Sequence, residues 1–270
     1  MKIVVLGAGN VAHQLSFALQ KAGHELLAVY NRSTQSGEAL AQKLGVQFII
    51  DIAQLPDADI YLIAVKDDAI EDVAKHLLLS NKIVAHTSGT KSKDLLKTAS
   101  SSYGIFYPLQ TMTKSIALDF AQVPMLIEGS DEATHSKLQE LANTISQQVY
   151  SIDETQRQWV HLAAVFANNF TNHLYGIAEH LLLKNGIAFE LLKPLILRSV
   201  QNIEQQSPTQ LQTGPAVRGD QQTLDKHVLL LADDKRLAEI YTILTQSILS
   251  TMHNKAVNLA NEHQAPLKDN

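Results

Sequence analysis

Cysteine is absent from all 270 residues. Disulfides, thiolate nucleophiles and cysteine-ligated zinc or iron–sulfur centres are thereby excluded, and the absence fits a reducing compartment. Basic residues are also in short supply. Lys and Arg number 22 against 27 Asp and Glu, a net charge of −5 at pH 7. A chain that grips nucleic acid shows the opposite balance or a basic stripe, so no nucleic-acid partner is expected. A small anion held by one or two local cations stays open. No apolar run approaches the roughly 18 residues of a membrane span. The run that begins at Ile3 ends at Gly7, too short for a signal peptide and without its cleavage site. The expectation is a cytoplasmic protein that makes no membrane contact. A Tyr-x-x-x-Lys pair is missing too, which argues against a short-chain dehydrogenase mechanism.

What is present changes character near the middle. Short β-branched runs alternate with helical segments in the first part: strands at Ile3–Leu6, Leu26–Tyr30, Gln47–Ile50, Ile60–Val65, Lys82–Ala85, Tyr103–Tyr107 and Val123–Glu128. The helices between them are read at Val11–Lys21, Ser33–Leu44 and Asp68–Leu78. Strands apolar on both faces, separated by helices, specify a parallel sheet covered on both sides. From Ser151 the β pattern stops. Helical segments follow at 152–184, 189–203, 221–231 and 235–261, and the tail 264–270 is expected to fray. Pro194 marks a kink or a later start of the second of these. The predicted fold class is α/β: a Rossmann-type parallel-sheet domain over residues 1–152, then an all-helical domain over 153–270.

The strongest motif is Gly7-Ala8-Gly9-Asn10-Val11-Ala12, a G-x-G-x-x-A pattern between the first strand and a helix. Gly7 permits the tight turn, Gly9 lets backbone approach a pyrophosphate, and Ala12 lets the helix pack on the strand. The pyrophosphate would sit on free N–H groups at the positive end of the helix. The second strand ends in Tyr30-Asn31-Arg32-Ser33, where an NAD site usually carries an acid for the ribose 2′-hydroxyl. Here Arg32 can pair with a 2′-phosphate, and Asn31 and Ser33 can add hydrogen bonds. The expected cofactor is therefore NADP, with Ser33 also able to cap the next helix. Ala64, Val65 and Lys66 follow the fourth strand and should line the same cofactor, while Asp67 or Asp68 reads as a helix N-cap.

Candidates for the chemistry are fewer. His86 ends a strand in His86-Thr87-Ser88-Gly89. It could be a general acid, since imidazole titrates at about 6.5, and Ser88 could hold a substrate oxygen. On the helix after Ser151, apolar residues cover most of the circumference, so the helix reads as largely buried. At about 100° per residue, His161, Asn168, Asn169, Asn172, His173, Glu179 and His180 fall in one polar sector. That sector meets either another helix or a substrate cleft. Asn169 and His173, one turn apart, lie on one side. No metal-ligand spacing stands out. Arg218, in Thr213-Gly214-Pro215-Ala216-Val217-Arg218-Gly219-Asp220, could clamp an anionic substrate.

The Gly7 loop, Asn31-Arg32-Ser33 and Ala64-Val65-Lys66-Asp67 make the first 150 or so residues resemble the NADP-binding domains of pyrroline-5-carboxylate reductase and deazaflavin-dependent NADP oxidoreductases. The whole chain is identified as a member of an uncharacterised bacterial family that joins such a domain to a helical domain of unknown function. The residues that carry this are His86-Thr87-Ser88-Gly89, Phe106-Tyr107-Pro108-Leu109-Gln110-Thr111, Asn168-Asn169-Phe170-Thr171-Asn172-His173 and the Arg218 loop. The helical half is similar to the dimerising domains of 6-phosphogluconate and 3-hydroxyacid dehydrogenases. Those place a catalytic lysine about a turn before an asparagine. Here the stretch reads Ala164-Val165-Phe166-Ala167-Asn168, so their acid–base mechanism does not carry over.

Two functions follow as expectations. One is an NADP(H)-dependent oxidoreductase that reduces a small, anionic C=O or C=N compound, acting as a homodimer. Ser88 and Asn169 would orient the substrate, His173 or His86 would give the proton, and Arg218 would hold the anion. The other is a non-catalytic NADP-binding redox sensor or regulatory module, favoured by the missing lysine.

Overall fold

The computed structural model describes residues 1–263. The tail expected to fray, 264–270, lies outside the described residues. The chain divides into two compact units, 1–175 and 176–270.

The first unit is built on β1 (Lys2–Leu6), α1 (Asn10–Lys21), β2 (Glu25–Tyr30), α2 (Thr34–Leu44), β3 (Gln47–Ile49), β4 (Ile60–Ile63), α3 (Ile70–Lys75), β5 (Ile83–His86), β6 (Ser102–Pro108), β7 (Met125–Gly129), α4 (Glu132–Asn143) and β8 (Val149–Ser151). The eight strands form one sheet in the order β3-β2-β1-β4-β5-β6-β7-β8. Every neighbouring pair is parallel except β6 with β7. The short edge strand β8 carries no apolar alternation in the sequence and owes its pairing to the exposed edge of β7. Alternate residues feed two cores. Ile3, Val5 and Leu62 meet Leu15 and Leu19 of α1 on one face, while Val4, Leu6 and Ile63 meet Ile70 and Val73 of α3 on the other. Both faces are therefore apolar along the central strands, as a covered parallel sheet requires.

After β8, an Asp153–Gln156 capping box opens α5 (Glu154–Ala164). A π-helical turn (Val165–Phe170) follows, and then α6 (Thr171–Lys184). The sequence places the domain break after Ile152, but the compact units part after Tyr175. The reason is Arg157, which is fully buried, pairs with Glu128 of β7 and donates to the Lys91 carbonyl oxygen at 2.7 Å. These contacts fasten α5 to the sheet unit.

The second unit holds α7 (Lys193–Ile203), α8 (Pro208–Leu211), α9 (Pro215–Arg218), α10 (Gln221–Leu230) and α11 (Lys235–His263). Pro194 marks a later start: Phe189–Leu192 is a single 3-10 turn, and proline lies in the first turn of α7. Asp220 caps α10 by accepting from the Thr223 N–H at 3.1 Å. His227 Nδ1 lies 2.8 Å from the Tyr241 hydroxyl and ties α10 to α11.

Candidate active site

The order of strands reverses at β1, with β2 on one side and β4 on the other. In open α/β sheets such a switch point opens a crevice beyond the carboxyl ends of the strands. Here that crevice is a cleft of about 920 Å³ lined by Gly7, Gly9, Asn10 and Val11 after β1, by Asn31, Arg32 and Ser33 after β2, and by Ala64, Val65 and Lys66 after β4. The three segments that the sequence offers to a cofactor thus border one cleft, although Ala12 is not in its lining.

The two motif glycines have different reasons to be glycine. Gly7 has φ +129°, and a Cβ there would lie 2.1 Å from the Ala64 carbonyl oxygen. The protein's own packing demands it. Gly9 has φ −76°, which any residue adopts, and a Cβ there would meet nothing within 4 Å. Neither strain nor crowding accounts for it. Its missing side chain leaves open space in the cleft at the start of α1. Ala12 is fully buried in the core, where the helix packs on the strand.

At the end of β2, Ser33 holds the N-cap position of α2, yet its hydroxyl makes no capping hydrogen bond. It and the first N–H groups of α2 stay available to an anion. Arg32 faces the same cleft, with its guanidinium 3.5 Å from Asp72 and both side chains more than half exposed. An exposed pair of this kind is worth little and gives way to a stronger anion. The Asn31 amide is committed to its own turn and donates to the Ser33 carbonyl at 2.8 Å and the Ser36 hydroxyl at 3.0 Å. Lys66 and Lys114 add two cations to the cleft.

The turn after β5 corrects three expectations. His86 is fully buried, and both ring nitrogens are engaged. Nδ1 accepts from the Ser88 N–H at 3.1 Å, so Nε2 carries the proton and donates to the Ser92 carbonyl at 3.2 Å. Burial pushes its pKa down to about 4, against the smaller upward pull of the Ser92 carbonyl. His86 is a neutral pin for the turn, not a general acid. Ser88 is likewise spoken for: its hydroxyl donates to Asp67 at 2.8 Å and accepts from the N–H groups of Thr90 and Lys91. Neither Asp67 nor Asp68 takes the N-cap position the sequence offers to one of them, which Lys66 and Ala69 hold instead, and Asp67 accepts from Ser88 and from the Thr90 hydroxyl at 2.7 Å. Local hydroxyls compete for it better than the short α3 does.

The polar helix face comes out differently as well. The π turn takes in Asn168 and Asn169, and the Thr171 hydroxyl donates to the Phe166 carbonyl at 3.1 Å. Such turns interrupt the 3.6-residue period, so a projection at a constant angle fails across them. His161, Asn168 and Asn169 line a pocket of about 370 Å³ with Tyr107, Gln110 and Thr111. His173 is not in that lining and is exposed. The helix is not largely buried either: Leu162, Phe166 and Phe170 are 46%, 63% and 50% exposed. Arg218 ends α9 in the second unit and is exposed.

Sequence reasoning passed over Tyr107, whose hydroxyl lies 3.1 Å from His161 Nδ1. It also gave His161 no role of its own. The one available signal was the spacing of His161 and Asn168, and the partner of His161 comes from a strand 54 residues earlier. Arg157, too, has no part in the sequence reading.

The fold, the switch-point cleft and the glycine turn are those of the Rossmann-type oxidoreductases. Residues 2–88 match the model of the family described as NADP oxidoreductase, coenzyme F420-dependent, and residues 123–248 match a domain of unknown function, DUF2520. A Bacteroides fragilis protein assigned as an NADP oxidoreductase is 35% identical, over 92% of this chain and 98% of that one, with a TM-score of 0.87. The chain belongs to the family of that protein. An imine reductase from Myxococcus stipitatus, solved with NADP+, is 16% identical with a TM-score of 0.62, over 96% of this chain and 95% of that one. The 1-pyrroline-5-carboxylate reductase of Streptococcus pyogenes is 17% identical with a TM-score of 0.58, over 94% and 98%. At those identities the likeness is one of fold. A comparison with curated proteins found no match.

Proposed function

We propose that this protein is an NADP(H)-dependent oxidoreductase that reduces a small C=O or C=N compound. The observation that carries the cofactor is Gly9, a glycine that neither strain nor packing requires, opening the start of α1 to the cleft. NADPH, when bound, supplies a hydride. The chain holds it by backbone N–H groups at the start of α1 and, for the 2′-phosphate, by Arg32 and the uncapped Ser33 hydroxyl. The Asp72 carboxylate is then displaced from Arg32. The family of NADP oxidoreductases and the NADP+-bound imine reductase of like fold support the same cofactor. The competing sensor reading has the missing lysine in its favour, but the second pocket beside Tyr107 has no evident use in a module that only binds a dinucleotide.

Fluorescence titration with NADPH and NADH tests this. Arg32→Ala should weaken NADPH about 10- to 150-fold, the worth of one charge-assisted hydrogen bond, and leave NADH nearly unchanged. Gly9→Val should weaken both cofactors without lowering the melting temperature, because the added side chain meets only the cleft. Equal affinity of the unmodified protein for the two cofactors would sink the assignment to NADP(H).

The exposed Leu162, Phe166, Phe170 and Leu174 recur every four residues. Residues four apart lie near one another on a helix surface, so the four side chains form an apolar stripe. An exposed apolar stripe of this kind suits a two-fold partner. A homodimer that covers it is expected from light scattering, and Phe166→Glu should shift the mass toward the monomer.

A further inference from the structure

The loop after β6, the α5 helix with its π turn, and the Gly89 turn converge on the pocket of about 370 Å³. We propose that this pocket binds the compound to be reduced, that this compound is uncharged at the pocket end, and that Tyr107 backed by His161 gives it the proton. The proposal rests on the NADP(H) reading above.

Three observations carry it. The Tyr107 hydroxyl and His161 Nδ1 form a direct contact of 3.1 Å at the pocket wall. Gly89 makes that contact part of the site. A Cβ at Gly89 would lie 2.6 Å from His161 Nδ1 and 2.8 Å from Tyr107 Cζ, so only glycine lets the turn after β5 close on both rings. That turn also sends Thr87 into the cofactor cleft, so one loop serves both spaces. Third, among the described residues the pocket lining contains no Lys, Arg, Asp or Glu. The charged groups that act on Tyr107 are Asp67 and Arg157, and both are spent: Asp67 on Ser88 and Thr90, Arg157 on Glu128 and the Lys91 carbonyl. A carboxylate brought in here would lose water and find no fixed cation, which is costly. Neutral donors and acceptors are what the wall offers. Asn168 donates to the Thr111 hydroxyl, and Asn169 beside it adds a second amide.

The chemistry balances with groups already named. The substrate carbon gains the hydride that NADPH supplies, and the C=O or C=N π pair moves onto the heteroatom. The heteroatom takes the Tyr107 proton. The phenolate oxygen takes the proton from His161 Nδ1, and water restores it to the imidazole. The substrate is reduced to an alcohol or amine and NADPH is oxidised to NADP+. Burial holds the Tyr107 pKa above its ordinary value, with Asp67 adding to the rise. The phenol is therefore kept as a proton source, and a second donor behind it avoids leaving a buried phenolate.

The test uses the full-length protein with NADPH and a panel of glycolaldehyde, hydroxyacetone and 1-pyrroline, with pyruvate and glyoxylate as carboxylate controls. A neutral compound should drive NADPH oxidation, and the carboxylates should not. Tyr107→Phe should lower kcat at least about 100-fold, within the range for general acid catalysis, with NADPH affinity and melting temperature held. His161→Gln should lower kcat with KM unchanged. As a readout without turnover, the unreactive amide 2-pyrrolidinone should bind the NADPH complex by ligand-observed NMR, and Asn169→Asp should weaken it. Turnover of carboxylates alone, no turnover by a protein that binds NADPH, or full kcat in Tyr107→Phe would each overturn the proposal. Failure of the unmodified protein to bind NADPH at all overturns the cofactor reading instead and shows in the titration before any substrate is added.

Discussion

Glu128→Ala should cost roughly 3–5 kcal/mol of stability, the usual range for stranding a buried charge. Arg157 is fully buried, and Glu128 is its carboxylate partner. Lys93 shares the same carboxylate, with its side chain 23% exposed. Removing Glu128 frees Lys93 to turn toward water. Arg157 has no such exit, and its Nε already lacks a partner among the described residues. At the few degrees per kcal/mol expected for a domain of this size, the melting temperature should fall by about 10 °C. Arg157→Met should cost markedly less. It removes the buried cation, keeps an apolar side chain of similar length in its place, and leaves Glu128 with Lys93. Thermal denaturation of the two variants side by side decides the matter. Equal losses would mean that the packing of α5, and not the stranded charge, dominates.

His86 should make the fold acid-sensitive. Its pKa is lowered to about 4 in the folded chain, chiefly by burial, against about 6.5 unfolded. The unfolded chain therefore binds a proton that the folded chain refuses between those values. Stability is full above about pH 6.5 and falls as the pH drops toward 4, by about 3 kcal/mol for this group. His13 and His24 are shifted in the same direction, burial leading in both. The measurement is accordingly a difference: urea denaturation of wild type and His86→Gln from pH 7 to 4.5. The variant should start less stable, having lost the bonds to Ser88 and Ser92, and then lose less on acidification. Parallel curves would show that His86 takes up its proton without unfolding.

Much of the site was legible because it is local. The Gly7–Ala12 turn, the Arg32 position and the Ala64–Lys66 segment each lie directly after a strand whose apolar run is plain in the sequence. A switch point then brings the ends of those strands to one crevice. The sequence could not separate the two glycines, since only the fold shows that Gly7 is crowded by Ala64 and Gly9 by nothing. His86 misled for a related reason. A histidine near a functional loop suggests acid–base work, and whether it does that work depends on burial and on which carbonyl takes its second nitrogen.

The helix after β8 marks the other limit. A constant-angle projection grouped Asn169 with His173, yet of the two only Asn169 lines the pocket beside Tyr107, which no projection could show. The sequence alone determined the α/β class, the change to helices after Ser151, the glycine turn and the cofactor it suits. These depend on residues close together in the chain, where periodicity and turn chemistry act directly. Only the tertiary structure decided that Tyr107 meets His161, that Arg157 is buried against Glu128, and that the first unit runs on to Tyr175. Each of those contacts joins residues 29 to 66 positions apart. Their energy comes from desolvation and packing across the sheet, which no local pattern records.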